Sequence, residues 1–81
     1  EMGIRDRLFE RAQKNLIKYR SMARQFEAKY RQSFDDFRKA LLHSHPAAEV
    51  EQDYFDWELA VTGIADMEDE IARLKDLAHR S

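Results

Sequence analysis

Apolar residues recur along this chain in two long stripes, each advancing by alternating steps of three and four. Phe9, Ala12, Leu16, Tyr19, Ala23, Phe26 and Tyr30 form the first; Trp57, Ala60, Ile64, Met67, Ile71, Leu74 and Ala78 form the second. That step pattern marks one face of a helix. Two such stripes predict two long helices, over residues 4–31 and 47–79, packed along a shared seam. Leu8, Ile17 and Met22 widen the first stripe, which calls for more than one neighbour, as in a bundle.

Between the stripes the apolar phase slips at Ser33. Ser33 suits an N-cap, with Asp36 at the third helical position and Asp35 before it, both acids favoured at a helix start. Phe34, Phe37, Leu41 and Leu42 then give a short helix over residues 33–42 an apolar face. Arg31 and Gln32 offer no glycine, so a first helix that runs on through Ser33 with a kink is the alternative to a break; the phase slip favours the break. His43-Ser44-His45-Pro46 is the one clear connector, because the proline disfavours a helical residue before it. The last helix starts between Pro46 and Asp53, the latter a second candidate cap with Asp56 three residues on. Arg73, Lys75, His79 and Arg80 place cations in the final turns, where the helix dipole favours them. Gly63 interrupts this helix at a cost of ~1 kcal/mol relative to Ala, so it reads as a point of close approach, at a helix crossing or a dimer contact. The predicted fold is all-α: a single domain over residues 1–81 built as an antiparallel hairpin of long, short and long helices, with no structural weight given to Glu1 to Gly3.

Composition adds a reason to associate. A chain of 81 residues buries only about 60% of the surface its unfolded form exposes. Small domains offset this with disulfides, metals or oligomerisation. With no cysteine, disulfides and thiolate metal sites are excluded, and a homo-oligomer, a dimer first, is expected. A four-helix-like pair would cover Leu8, Ile17, Met22, Leu59 and Leu77. Two glycines, one proline and 37% charged residues suit long helices and oppose sheets. No apolar run approaches the roughly 20 residues that span a bilayer and no secretory signal is visible, so no membrane contact and a cytoplasmic location are expected.

The charge is divided unequally. Residues 1–42 carry eleven Lys or Arg against six Asp or Glu, a balance of +5; residues 43–81 carry three against ten, a balance of −7. Arg7, Arg11, Lys14, Lys18 and Arg24 are set opposite the first stripe, a basic face open to an acidic partner or a phosphate backbone. The halves can also attract one another, within or between chains. Two ordinary solvated faces of unequal composition explain the same count, since exposed ion pairs contribute only ~0–1 kcal/mol each.

Catalytic chemistry finds little to stand on. Ser21, Ser33, Ser44 and Thr62 lack a neighbouring base and orienting group, and no phosphate-cradling glycine loop occurs. His43 and His45 have chelate spacing but no evident further ligands, and read as a polar turn; His79 reads as a last-turn cation. Asp66, Glu68, Asp69 and Glu70 cluster acids on the last helix, yet neither Asp66 nor Glu70 has the histidine three residues on that a carboxylate-bridged metal pair uses. No catalytic residue, metal or cofactor is assigned. The unusual stretch is Asp53-Tyr54-Phe55-Asp56-Trp57, whose aromatics cannot all share one helix face: Tyr54, Trp57 and Val61 share one, extended by Val50, while Phe55 and Leu59 point elsewhere. Aromatics edged by acids suit a protein contact, with Tyr54, Phe55 and Trp57 as anchors. The competing reading is that Phe55 and Leu59 cover Phe34 and Phe37 of the short helix.

Lys29-Tyr30 followed by Ser33-Phe34-Asp35-Asp36-Phe37, then Asp53-Tyr54-Phe55-Asp56-Trp57-Glu58, resembles a family of small all-helical prokaryotic proteins. Its members carry a "KYGMSFEEF"-like stretch, an acidic linker, and "DFFEW" leading a final amphipathic helix. The resemblance covers roughly residues 24–78. Arg31 stands where the family has glycine, and the first helix is longer than the family's. Many members resemble the antitoxin-type partner of a toxin–antitoxin pair, so the resemblance implies a non-catalytic protein that binds and neutralises a protein encoded nearby. The residues themselves suggest an interaction module; nucleic-acid binding through the basic face and self-assembly as a structural protein are the alternatives.

Overall fold

The computed structural model describes the backbone of residues 4–80 and the side chains of residues 6–77; Glu1 to Gly3 lie outside the described residues, as do the side chains of Ala78, His79 and Arg80. Three helices follow one another: α1 (Ile4–Tyr30), α2 (Phe34–Leu42) and α3 (Ala48–Arg80). No strand occurs among the described residues. α1 and α3 pack along their length as an antiparallel hairpin, and α2 closes one end of it. The molecule is a rod of 54 × 18 × 17 Å with a radius of gyration of 16.3 Å, where a compact domain of this length would have about 11.7 Å.

The break after α1 is real and does not need glycine. Arg31 takes a left-handed backbone conformation (φ 53°), the conformation that commonly ends a helix and that glycine adopts without a Cβ penalty. The chain therefore turns at Arg31, with an arginine bearing the strain. Ser33 then restarts the helix as expected: its backbone is extended (φ −72°, ψ 161°) and its Oγ accepts from the Asp36 amide at 3.2 Å. α2 ends at His43, whose amide donates to the Ala40 carbonyl at 3.2 Å, while the Ser44 amide donates to that of Leu41 at the same distance. Pro46 keeps α3 from joining α2, and α3 begins at Ala48. Asp53 therefore lies more than a turn inside α3 and does not cap it, a correction to the second start considered from sequence.

The first stripe, and the second up to Leu74, face the seam. Ala12, Leu16 and Ala23 of α1 and Ala60 of α3 are buried, and these small or slim residues let the helices come close. The helices approach closely at Gly63, where an added Cβ would lie 2.6–2.8 Å from the Cγ, Cδ2 and Cε2 atoms of Tyr19. The expected crossing point is thus inside the hairpin.

Leu8 and Ile17 do not share a flank. Nine residues separate them, about half a turn around the helix, so the single flank expected from Leu8, Ile17, Met22, Leu59 and Leu77 loses Ile17 to the other side.

Candidate functional site

At the closed end of the hairpin four aromatic rings from α1 and α2 gather around the one of Trp57 on α3. Trp57 is 1% exposed. Its ring lies 5.7 Å from that of Phe26 and 6.1 Å from that of Tyr30, both stacked, 5.4 Å from Phe34 edge-on, and 5.1 Å from Phe37 at a tilt. Tyr30 and Phe37 approach to 4.4 Å. Such pairs add about 0.5–1.5 kcal/mol beyond their buried area. Phe37 is buried as well, so α2 is held to the hairpin by this aromatic group.

The three anchors expected from sequence consequently separate. Trp57 is a core residue whose ring no partner can reach, which corrects its reading as an anchor. Tyr54 is half-buried: its ring stacks on Phe34 at 5.6 Å, and its hydroxyl donates to Glu58 at 3.1 Å. Desolvation, then the Glu58 hydrogen bond, pushes the Tyr54 phenol above its ordinary pKa. Phe55 alone faces outward, 56% exposed, with Leu59 one turn on at 57%. Phe34 and Phe37 are covered by Tyr30, Tyr54 and Trp57, so the notion that Phe55 and Leu59 serve as their lid fails. The seam periodicity had already placed Trp57 in step with Ala60 and Ile64; that step, taken alone, identifies the inward ring.

Beside Phe55 an open cleft of about 250 Å³ runs between α2 and the start of α3, lined by Arg38, Leu41, Leu42, Pro46, Glu51, Tyr54 and Phe55. Leu42 stands on its rim, 74% exposed. Apolar walls with one cation and one carboxylate at the edge can accept an apolar side chain and orient a polar backbone or charged neighbour. Sequence reasoning misses this cleft, because it groups Leu42 with Phe34, Phe37 and Leu41 as one apolar face of α2.

On the far side of the aromatic group Asp53 joins α3 to the end of α1. Its Oδ2 accepts from the Lys29 ammonium at 2.6 Å and also from the Tyr30 hydroxyl. These hydrogen bonds, Lys29's first, hold the Asp53 carboxyl below the usual range. Asp53 raises Lys29 above its ordinary value, and desolvation followed by the Asp53 bond raises Tyr30.

No family model, no curated protein and no solved structure matches the chain.

Arg7, Arg11, Lys14, Lys18 and Arg24 are all exposed, and none of the five forms an ion pair among the described residues. The first four make one ridge. Arg24 stands roughly a quarter turn or more away from them and leaves it. His43 and His45 are exposed in the α2–α3 turn. Among the described residues no group of three His, Cys, Asp or Glu side chains converges as metal ligands would, and no helix is long and apolar enough to cross a membrane.

Proposed function

We propose that this chain is a non-catalytic protein-interaction module, and that its contact is the cleft between α2 and α3. The observation that carries this reading is the pair Leu42 and Phe55, two large apolar side chains more than half exposed on either side of one recess. Exposed apolar groups clustered beside a concave surface favour a partner's side chain over water. Arg38 and Glu51 at the rim supply the polar contacts that set orientation. The antitoxin-like role, neutralising a protein encoded nearby, is supported by the sequence resemblance alone. A direct test is co-expression with the product of the neighbouring gene: rescue from its toxicity by the wild type, lost in Phe55→Asp and Leu42→Asp chains of unchanged helicity, is the expected result. Equal rescue by the variants would remove the cleft from the account, and a harmless neighbour would remove the antitoxin role.

One observation favours a second reading. Arg7, Arg11, Lys14 and Lys18 hold four exposed cations along about 16 Å of α1, without acidic partners of their own among the described residues. Such a ridge suits phosphates through counterion release. A gel-shift titration at low salt decides it: no shift there ends the idea.

A further inference from the structure

The chain exposes 6513 Å², whereas a compact monomer of its 9.7 kDa exposes about 5,100 Å² by the size scaling of folded proteins. The difference, about 1,400 Å², exceeds the roughly 800 Å² that each partner contributes to a standard interface.

That surface is apolar along one side of the hairpin. Leu8, Asn15 and Met22 recur every seven residues on α1, the spacing of a second helix-packing seam. On α3, Leu59 and Leu77 are eighteen residues apart, about five full turns, and Glu70 falls within about 20° of both. Viewed down α1 from its N-terminus, Leu8, Asn15 and Met22 lie anticlockwise of the seam. α3 runs the other way and its winding sense reverses, so Leu59, Glu70 and Leu77, clockwise of the seam, lie on the same side. The opposite side is closed by the Arg20–Glu68 ion pair at 2.8 Å and by Phe34 of α2 stacked on Tyr54, whereas this side is bridged only at its α2 end, where the row reaches Lys29 and its ion pair with Asp53. The open side keeps Leu8, Leu59 and Leu77 37%, 57% and 49% exposed, with Asn15 and Glu70 half-buried at its centre.

We infer that this side is covered by a second copy of the chain, in a two-fold arrangement that lays α1 of one copy over α3 of the other. Charge selects that arrangement from the two that stack these flanks. With the two-fold axis parallel to the helices, the basic ridge of α1 runs beside the acidic outer edge of the other copy's α3. The level of Tyr19 with Gly63 sets Lys14 and Lys18 near the heights of Asp66 and Asp69 there. With the axis across the helices, α1 lies on α1 and basic ridge meets basic ridge. Like charges side by side oppose that pairing. In the selected form every neighbouring pair of helices is antiparallel, as in an up-down-up-down bundle, and Met22 falls level with Leu59 of the other copy. Asn15 lies beside the other copy's Glu70, a polar pair that fixes register.

The test is separate from the cleft, since it reads mass and cross-linking rather than partner capture. Light scattering is expected to give twice the 9.7 kDa chain mass, falling by half in Leu59→Glu, whose exposure leaves the hairpin's helicity intact. The wild type has no cysteine, so mixed Met22→Cys and Leu59→Cys chains can link only between copies, and they should oxidise to a disulfide-bonded pair. A wild-type mass of one chain overturns the dimer. A dimer in which Asn15→Cys links to itself, while the mixed pair does not, overturns the arrangement.

Discussion

Gly63 of α3 and the ring of Tyr19 of α1 meet where the helices leave no room for a methyl group. A Cβ at residue 63 would sit 2.6 Å from Tyr19 Cδ2 and 2.8 Å from Cγ. Cγ is the root of the ring, so swinging its far edge away gives no relief. Substituting Gly63→Ala should gain ~1 kcal/mol of helix propensity and lose about 1–3 kcal/mol to overpacking, a net loss of stability. In a Tyr19→Ala background the clash is gone and the same substitution should stabilise. Urea melts of the four proteins in a double-mutant cycle measure this; the same cost of Gly63→Ala in both backgrounds would show that the ring is not the obstacle.

Trp57 and Phe55 are two residues apart and should behave oppositely. Truncating the buried Trp57 to Ala should cost about 3–5 kcal/mol. A domain of this size holds only about 4–12 kcal/mol in all, at 0.05–0.15 kcal/mol per residue. Phe55→Ala, at an exposed site, should stay within about 0.5 kcal/mol of wild type. Thermal melts followed by circular dichroism separate the two, and similar losses for both would contradict the packing at the closed end.

The two stripes make α1 and α3 legible in the sequence, because a seam between long helices is written in local spacing. Ser33 was equally legible, since a cap is a contact between residues three apart. The difficult stretch is Asp53-Tyr54-Phe55-Asp56-Trp57: the seam step points Trp57 inward, but how far Tyr54 and Phe55 are covered depends on where α2 packs, and that is settled by contacts between residues distant in sequence. Asp53 illustrates the same limit: its residue type fits a helix start, and only the fold brings Lys29 and Tyr30 to it. The flank of Leu8 and Ile17, by contrast, was misassigned although counting nine residues at about 100° each would have parted them.

Arg31 carries backbone strain that glycine would remove. The left-handed conformation costs a residue with a Cβ roughly 1–2 kcal/mol, and glycine gives part of this back as unfolded-state entropy. Arg31→Gly should therefore raise stability by up to about 1 kcal/mol, read as an increase in the urea midpoint with an unchanged slope. Arg31→Val, stiffer still at this φ, should lower it. The reverse order would mean that the arginine side chain contributes more than its backbone costs.

The Lys29–Asp53–Tyr30 group should give stability a window in pH. Asp53 titrates lower in the folded chain than its ordinary value, because Lys29 and then Tyr30 donate to its charged form. A depressed carboxyl stabilises fully above its unfolded pKa of about 3.9, and that contribution is lost as pH falls through the lower folded value. Lys29 and Tyr30 are both raised, so their share is present below their unfolded values near 10 and lost as pH climbs through the folded ones. The stability difference between wild type and Asp53→Asn should thus be flat from about pH 5 to 9 and shrink on either side. Removing only the phenol hydroxyl, as in Tyr30→Phe, should keep the acid limb, which Lys29 still drives, and flatten the part of the alkaline limb that belongs to tyrosine. Denaturant melts across this range measure the three curves. A wild-type-minus-Asp53→Asn difference that persists unchanged below pH 3 would mean that Asp53 does not hold α1 to α3 through its charge.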